Sequence, residues 1–142
     1  MAIVDIFEEV ERIKSDLENL SIDDLKSEMA GNPDLVLIDI REIQELVDLG
    51  TIPGAIHVPR GMMEFWASPT SPYYREFFQE DRRIVAFCAG GGRSAFAARY
   101  LKAMGYKNVA HVELGFNGWA KLGGKVEDFA SKSRWARRPK EA

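Results

Sequence analysis

The run Arg83-Ile84-Val85-Ala86-Phe87-Cys88 is the segment that most restricts what this chain can fold into. It is short, almost wholly apolar, and followed at once by Ala89 and three consecutive glycines. An unbroken apolar run of this length suits a strand covered on both faces, as in a parallel sheet, better than a half-exposed edge strand. A helical pattern over 93–104 comes next, closed by Gly105. Strand, glycine turn and helix in that order are one half of a βαβ unit, which needs further parallel strands to pair with.

Those strands can be read along the chain. Leu35-Val36-Leu37-Ile38-Asp39 is a second continuous apolar run, ending in an acid, and 55–58 and 109–114 are further strand candidates. Helical patterns fall at 42–49, closed by Gly50, at 73–78 and at 116–122. Ser21 can cap a helix carrying Leu25 and Met29, which Gly31-Asn32-Pro33 would end. Ile3, Ile6, Phe7, Val10, Ile13, Leu17 and Leu20 recur at three- and four-residue steps, predicting an amphipathic helix over 3–19. Strands alternating with helices predict an α/β domain with a largely parallel sheet. Phe65, Trp66, Tyr73 and Tyr74 lie in a less regular stretch, where core packing is a commoner use than a pocket wall. The segment after Val126 (Lys132, Arg134, Arg137, Arg138, Lys140) is basic and aperiodic, and reads as a solvated tail.

Composition narrows the function. The 142 residues suit one domain. With 19 basic against 22 acidic residues the net charge is −3, which gives no ground for a nucleic-acid partner. No apolar run approaches the roughly 18 residues of a membrane span. The N-terminus has no basic segment ahead of Asp5, so no secretory signal and a cytoplasmic location are expected. A single cysteine excludes an intramolecular disulfide, a Cys-x-x-Cys pair and a zinc cluster, and two histidines leave little scope for a metal. Neither a metal nor a cofactor is expected.

The chemistry concentrates at Cys88. In open α/β sheets ligands collect at the carboxyl ends of the strands, where this cysteine is placed. Gly90, Gly91 and Gly92 let the backbone curl so that successive N–H groups point inward as an anion nest, and the next helix adds its positive end. With Arg93 close by, these features are expected to favour the thiolate and to hold an anionic substrate over the sulfur. Cys88 is therefore the candidate nucleophile, and Ala89, Gly90, Gly91, Gly92, Arg93 and Ser94 the candidate substrate-binding loop. A merely packed cysteine would leave the glycines and the arginine without a purpose. The glycines lack the lysine of a nucleotide-binding loop, and in 118–125 Gly124 stands where that motif needs lysine. Asp39 and Arg41 end the preceding strand and are expected to support the loop, through a pair such as Asp39 with Arg93. Arg41 or Arg60 could alternatively meet an anionic donor. His57 and His111 read as structural.

These motifs together resemble the rhodanese-like family of single-domain sulfurtransferases. Asp39-Ile40-Arg41-Glu42 is similar to its Asp-x-Arg-Glu signature, and Gly50 to Pro59 to its Gly-His-Ile-Pro-Gly-Ala segment, with Thr51 in place of the histidine. Cys88 to Ser94 is similar to its Cys-x-x-Gly-x-Arg-Ser loop. Gly105-Tyr106-Lys107-Asn108-Val109 and Gly115-Phe116-Asn117-Gly118-Trp119 resemble its closing segments, with Leu114 replacing a common glycine. The resemblance divides the chain into a helical N-terminal extension (1–20), a rhodanese-like domain (21–126) and a basic tail (127–142).

What the resemblance implies is a five-stranded, mostly parallel sheet with helices on both faces. It also implies a two-step transfer in which Cys88 takes the sulfane sulfur of a small anionic donor such as thiosulfate, becomes a persulfide, and gives that sulfur to a thiol or cyanide. Four residues separate Cys88 from Arg93. Phosphatases built on a related cysteine loop have a longer one, wide enough for phosphate, so a cysteine-loop phosphatase is the weaker alternative. A non-catalytic binding or regulatory module is another, with the N-terminal helix recruiting a partner or a second copy as a homodimer.

Overall fold

A computed structural model describes residues 2–133. Among them five strands form one parallel sheet in the order β1-β5-β4-β2-β3: β1 (Glu18–Leu20), β2 (Val36–Asp39), β3 (Ile56–His57), β4 (Ile84–Phe87) and β5 (Val109–Val112). The helices are α1 (Ile6–Lys14), α2 (Ile22–Gly31), α3 (Ile43–Leu49), α4 (Met63–Ala67), α5 (Gly92–Met104), α6 (Gly115–Lys121) and α7 (Phe129–Lys132).

Side chains alternate across the sheet and fill two layers. Val36, Ile38, Ile84 and Ala86 pack with Met63 and Ala67 of α4 and with Ala97, Ala98 and Leu101 of α5. Leu37, Val85, Phe87, Ala110 and Val112 pack with Ile22 and Leu25 of α2 and with Phe116 and Trp119 of α6. Every residue of β2, β4 and β5 is buried, which is why these runs show no polar alternation. The expected α/β architecture, with helices on both faces, is the one observed.

Three elements differ from their sequence patterns. The helix expected over 3–19 ends at Lys14, the chain turns, and Glu18–Leu20 becomes the edge strand beside β5. Leu17 and Leu20 fit a helical stride, but the open edge of β5 offers backbone partners, and the Asn19 amide fastens the turn through the carbonyls of Lys14 and Leu17. Tertiary pairing overrides local periodicity here. Residues 73–78 are turns instead of a helix: Arg75 N donates to the Trp66 carbonyl at 2.9 Å, and the Tyr74 hydroxyl bonds the Phe78 carbonyl. Beyond Val126 the chain returns to the body, since Glu127 bridges Thr51 and Phe129 meets the His57 ring edge-on at 5.5 Å. Arg134, Arg137, Arg138 and Lys140 of the expected tail lie outside the described residues.

The connections explain where a ligand can enter. From β2 the chain moves outward to β3, whereas from β4 it moves the opposite way to β5, so the switch point lies between β2 and β4. Asp39 at the end of β2 stands opposite Phe87 at the end of β4, and Cys88 follows directly. Crevices in open α/β sheets form at such a point.

Asp39 and Arg41 form a wholly buried ion pair there. Arg41 Nε donates to Asp39 Oδ1 at 3.0 Å, and Nη2 donates to Oδ2 at 2.8 Å, a fork-to-fork geometry. Arg41 Nη2 also reaches the Gly50 carbonyl at 2.7 Å, and the Thr51 hydroxyl donates to Asp39 Oδ2 at 2.8 Å. Removing one partner strands a buried charge. Arg41→Met is expected to cost about 3–5 kcal/mol in urea unfolding, with Asp39→Asn in the same chain recovering part of that loss. A cost below about 1 kcal/mol would contradict the pair's structural role.

Candidate active site at Cys88

Cys88 is 1% exposed and lies at the floor of a cleft of about 520 Å³. The loop after it turns inward at Gly91, whose φ of 101° lies in the left-handed region that favours glycine. A Cβ at Gly91 would come within 2.1 Å of the Glu113 carbonyl oxygen, so the position excludes any side chain. This turn brings Gly91 N to 3.1 Å from Cys88 Sγ and Ser94 N to 3.4 Å, both as donors. The sulfur thus receives two backbone N–H groups near the start of α5, where the helix dipole is also positive.

The loop is held from behind by α6. Phe116 N donates to the Cys88 carbonyl at 2.8 Å and Asn117 N to the Ala89 carbonyl at 3.0 Å. These bonds point the loop carbonyls away from the sulfur. Gly115 makes the approach possible: its φ is 60°, and a Cβ there would lie 2.6 Å from the carbonyl oxygens of both Cys88 and Ala89. The Phe116 ring in turn rests on the Arg41 guanidinium at 4.2 Å. Asp39 and Arg41 therefore reach the cysteine loop indirectly, through Phe116.

The expected pair between Asp39 and Arg93 is not formed. Asp39 is saturated by Arg41 and Thr51, and Arg93 pairs with Glu45 of α3 through two bonds of 2.9 and 3.0 Å. That contact holds the Glu45 carboxyl below the usual carboxylate range and raises Arg93. Glu45 appears in the sequence as one more surface acid of a short helix, with no spacing that ties it to a residue 48 positions away. Arg41 is wholly buried, with Nε and Nη2 held by Asp39 and the Gly50 carbonyl and Nη1 left without a hydrogen-bond partner, so burial closes it to a substrate, and Arg60 pairs with Glu64.

The rest of the cleft also differs from the sequence pattern. Its walls are Ile6, Phe7 and Val10 of α1 and Phe96 of α5, with Gly90, Gly92 and Arg93 of the loop. Phe65, Trp66, Tyr73 and Tyr74 do not line it: Trp66 and Tyr74 pack on the core, and Trp66 lies under Arg75 at 4.4 Å. His57 Nε2 meets the Arg41 carbonyl at 2.9 Å, a structural role as expected. His111 is buried in β5, and its Nδ1 lies 3.0 Å from the Ser94 hydroxyl. Burial, with a smaller contribution from Lys14, lowers its pKa to about 4. The sequence carried no signal for that contact, because the residues sit on separate elements.

Two consequences can be measured. Gly115→Ala must push α6 off the loop, and it is expected to lower stability by about 1–3 kcal/mol and to change Cys88 alkylation. Gly31→Ala, where a Cβ meets nothing within 4 Å, is the neutral control. Equal behaviour of the two variants would contradict the α6 grip. His111 stays neutral in the folded chain down to about 4, while an unfolded histidine takes a proton near pH 6.5. Between those values the unfolded state binds more protons, so stability should fall as pH drops, by about 3 kcal/mol in all. His111→Phe should flatten that slope in denaturation curves taken across the window, and an unchanged slope would contradict the assignment.

Similarity to known proteins follows the same elements. The rhodanese-like domain family model matches residues 21–122. A putative sulfurtransferase, YtwF, of Bacillus subtilis is 32% identical over 104 residues, covering 73% of this chain and 91% of that protein. A putative sulfur carrier protein, YrkF, of the same organism is 32% identical over 113 residues, covering 80% of this chain, which spans only 55% of that protein. Among solved structures, a Rhodopseudomonas palustris protein described as of unknown function and a possible tyrosine phosphatase superposes with a TM-score of 0.83 at 41% identity, over 89% of this chain and 97% of that one. The polysulfide-sulfur transferase homodimer of Wolinella succinogenes superposes with a TM-score of 0.69 at 27% identity, over 84% of this chain and 85% of that one. With its parallel sheet, its cysteine loop and a family match over most of its length, this chain belongs to the rhodanese-like family.

Proposed function

We propose that this chain is a sulfurtransferase that carries one sulfur atom on Cys88. The observation that carries the reading is the short loop that turns two backbone N–H groups onto a sulfur at the floor of a cleft. Once its proton has left for solvent, Cys88 Sγ attacks the outer sulfur of a donor such as thiosulfate. The donor's S–S bond breaks, sulfite leaves with the electron pair, and Cys88 holds a persulfide. A thiol or cyanide then attacks the outer sulfur, and the Cys88 thiolate leaves. Backbone N–H groups and the α5 dipole stabilise charge on the sulfurs in both steps, as an oxyanion hole does for oxygen.

The loop favours sulfur over phosphate. Cys88 to Arg93 closes in four intervening residues, and the Arg93 guanidinium is tied to Glu45 instead of turned over the sulfur. A phosphoryl group would need a wider ring and a free arginine. The cytoplasm suits a lone cysteine whose acceptor is a thiol.

A homodimer is proposed through the outer side of α1 and the residues ahead of it. Val10 and Ile13 are already covered by Ala95 and Phe96 of α5, whereas Ile3, Val4 and Phe7 remain 97%, 66% and 78% exposed.

Intact-mass measurement after exposure to thiosulfate, polysulfide and an alkyl persulfide should show a gain of one sulfur atom with at least one donor. Cyanide should reverse the gain, and Cys88→Ser should abolish it. No gain with any donor, together with hydrolysis of an aryl phosphate, would overturn the reading.

A further inference from the structure

Ser94 Oγ stands between Cys88 Sγ at 3.5 Å and His111 Nδ1 at 3.0 Å, and its one hydrogen can serve only one of them. The choice is settled at the far end of the same chain of contacts. Asn19 Nδ2 donates to the carbonyls of Lys14 and Leu17, each at 3.0 Å. Those two bonds fix the amide, so that its oxygen is the atom meeting His111 Nε2 at 2.6 Å. An amide oxygen can only accept, and Nε2 therefore carries the ring hydrogen. A buried, neutral ring protonated at Nε2 presents a bare lone pair at Nδ1, and Ser94 gives its hydrogen there.

Ser94 Oγ is left facing the cysteine with lone pairs alone. That arrangement suits a thiol S–H donor and opposes a thiolate. It runs against the expectation that everything around Cys88 favours the anion: the N–H groups of Gly91 and Ser94 do, and the Ser94 hydroxyl does not.

We infer that His111 is a positioning residue: by taking the Ser94 hydrogen it fixes Ser94 as an acceptor toward Cys88 and holds the unloaded sulfur as the thiol. The inference rests on the reading of Cys88 as the sulfur carrier for its purpose, though not for its geometry. An unloaded cysteine kept as the thiol is shielded from stray electrophiles and oxidants. In the persulfide the charge moves to the outer sulfur, one bond further from Ser94 Oγ. The charged groups facing these residues are Lys14 at the end of α1, toward His111, and Arg93 of α5 with its partner Glu45 of α3, toward Cys88.

The test is the rate of Cys88 alkylation by iodoacetamide against pH, on the full chain and on His111→Phe, Ser94→Ala and the double variant. His111→Phe frees the Ser94 hydrogen to turn to the sulfur. It should move the alkylation midpoint to lower pH and raise the rate at pH 7 at least about threefold: one hydrogen bond to a charged acceptor is worth about tenfold in thiolate population, and the less basic thiolate gives back about half of that on a logarithmic scale. In the Ser94→Ala background the same substitution should have no such effect. Slower or unchanged alkylation in His111→Phe, or equal acceleration without Ser94, would overturn the inference.

Nitrogen NMR of the unsubstituted protein needs no variant to fold. His111 should show Nε2–H with a bare Nδ1, and an Nδ1–H tautomer at pH 7 would overturn the inference directly. If the unsubstituted chain takes sulfur from no donor while these results hold, the transfer reading fails and the positioning role stands.

Discussion

Two peptide carbonyls, those of Cys88 and Ala89, are held by the N–H groups of Phe116 and Asn117, and the usefulness of the cysteine depends on that grip. A loop of three glycines has many accessible conformations, most of which would not aim an amide at the sulfur. By capturing the outward carbonyls, the first turn of α6 selects the conformation in which Gly91 and Ser94 donate to Sγ. The orphan N–H groups of a helix start are thereby satisfied by the loop instead of by water. Gly115 permits the contact because it alone has no Cβ to strike those carbonyl oxygens.

The charges near the site are arranged to build it more than to touch a ligand. Asp39 and Arg41 neutralise each other in the core, and the Arg41 guanidinium lies over the ring of Phe116, the residue whose N–H holds the loop. Arg93 is anchored to Glu45. What touches the sulfur is the pair of backbone N–H groups of Gly91 and Ser94, which are fixed in place, together with the Ser94 hydroxyl oxygen. The proposed reaction asks these two amides to serve a single added sulfur. Ile6, Phe7 and Val10 give the cleft an apolar wall that is open to solvent at Ile6 and Phe7.

Much of this is legible in the amino-acid sequence, and the boundary has a physical reason. Strands buried on both faces declare themselves as unbroken apolar runs, so β2, β4 and β5 and the position of Cys88 between strand and helix could be read directly. Contacts between distant elements could not. Glu45 with Arg93, Ser94 with His111 and Asn19, and Phe116 on Arg41 each join residues with no common spacing. The end of α1 failed for a related reason. Leu17 and Leu20 satisfy a helical stride and a buried edge equally, and only the open side of β5 decides between them. Asp39 and Arg93 do not pair, and nearness to the loop cannot show in a sequence which acid is already occupied.

The central claim, that a four-residue cysteine loop gripped by α6 accepts one sulfur atom, is tested most directly by a crystal structure of the protein after exposure to a sulfane donor. The account predicts one additional atom bonded to Cys88 Sγ and enclosed by loop amides, with Phe116 N still on the Cys88 carbonyl. An unmodified sulfur beneath a tetrahedral anion, held in a loop that has opened away from α6, would contradict it.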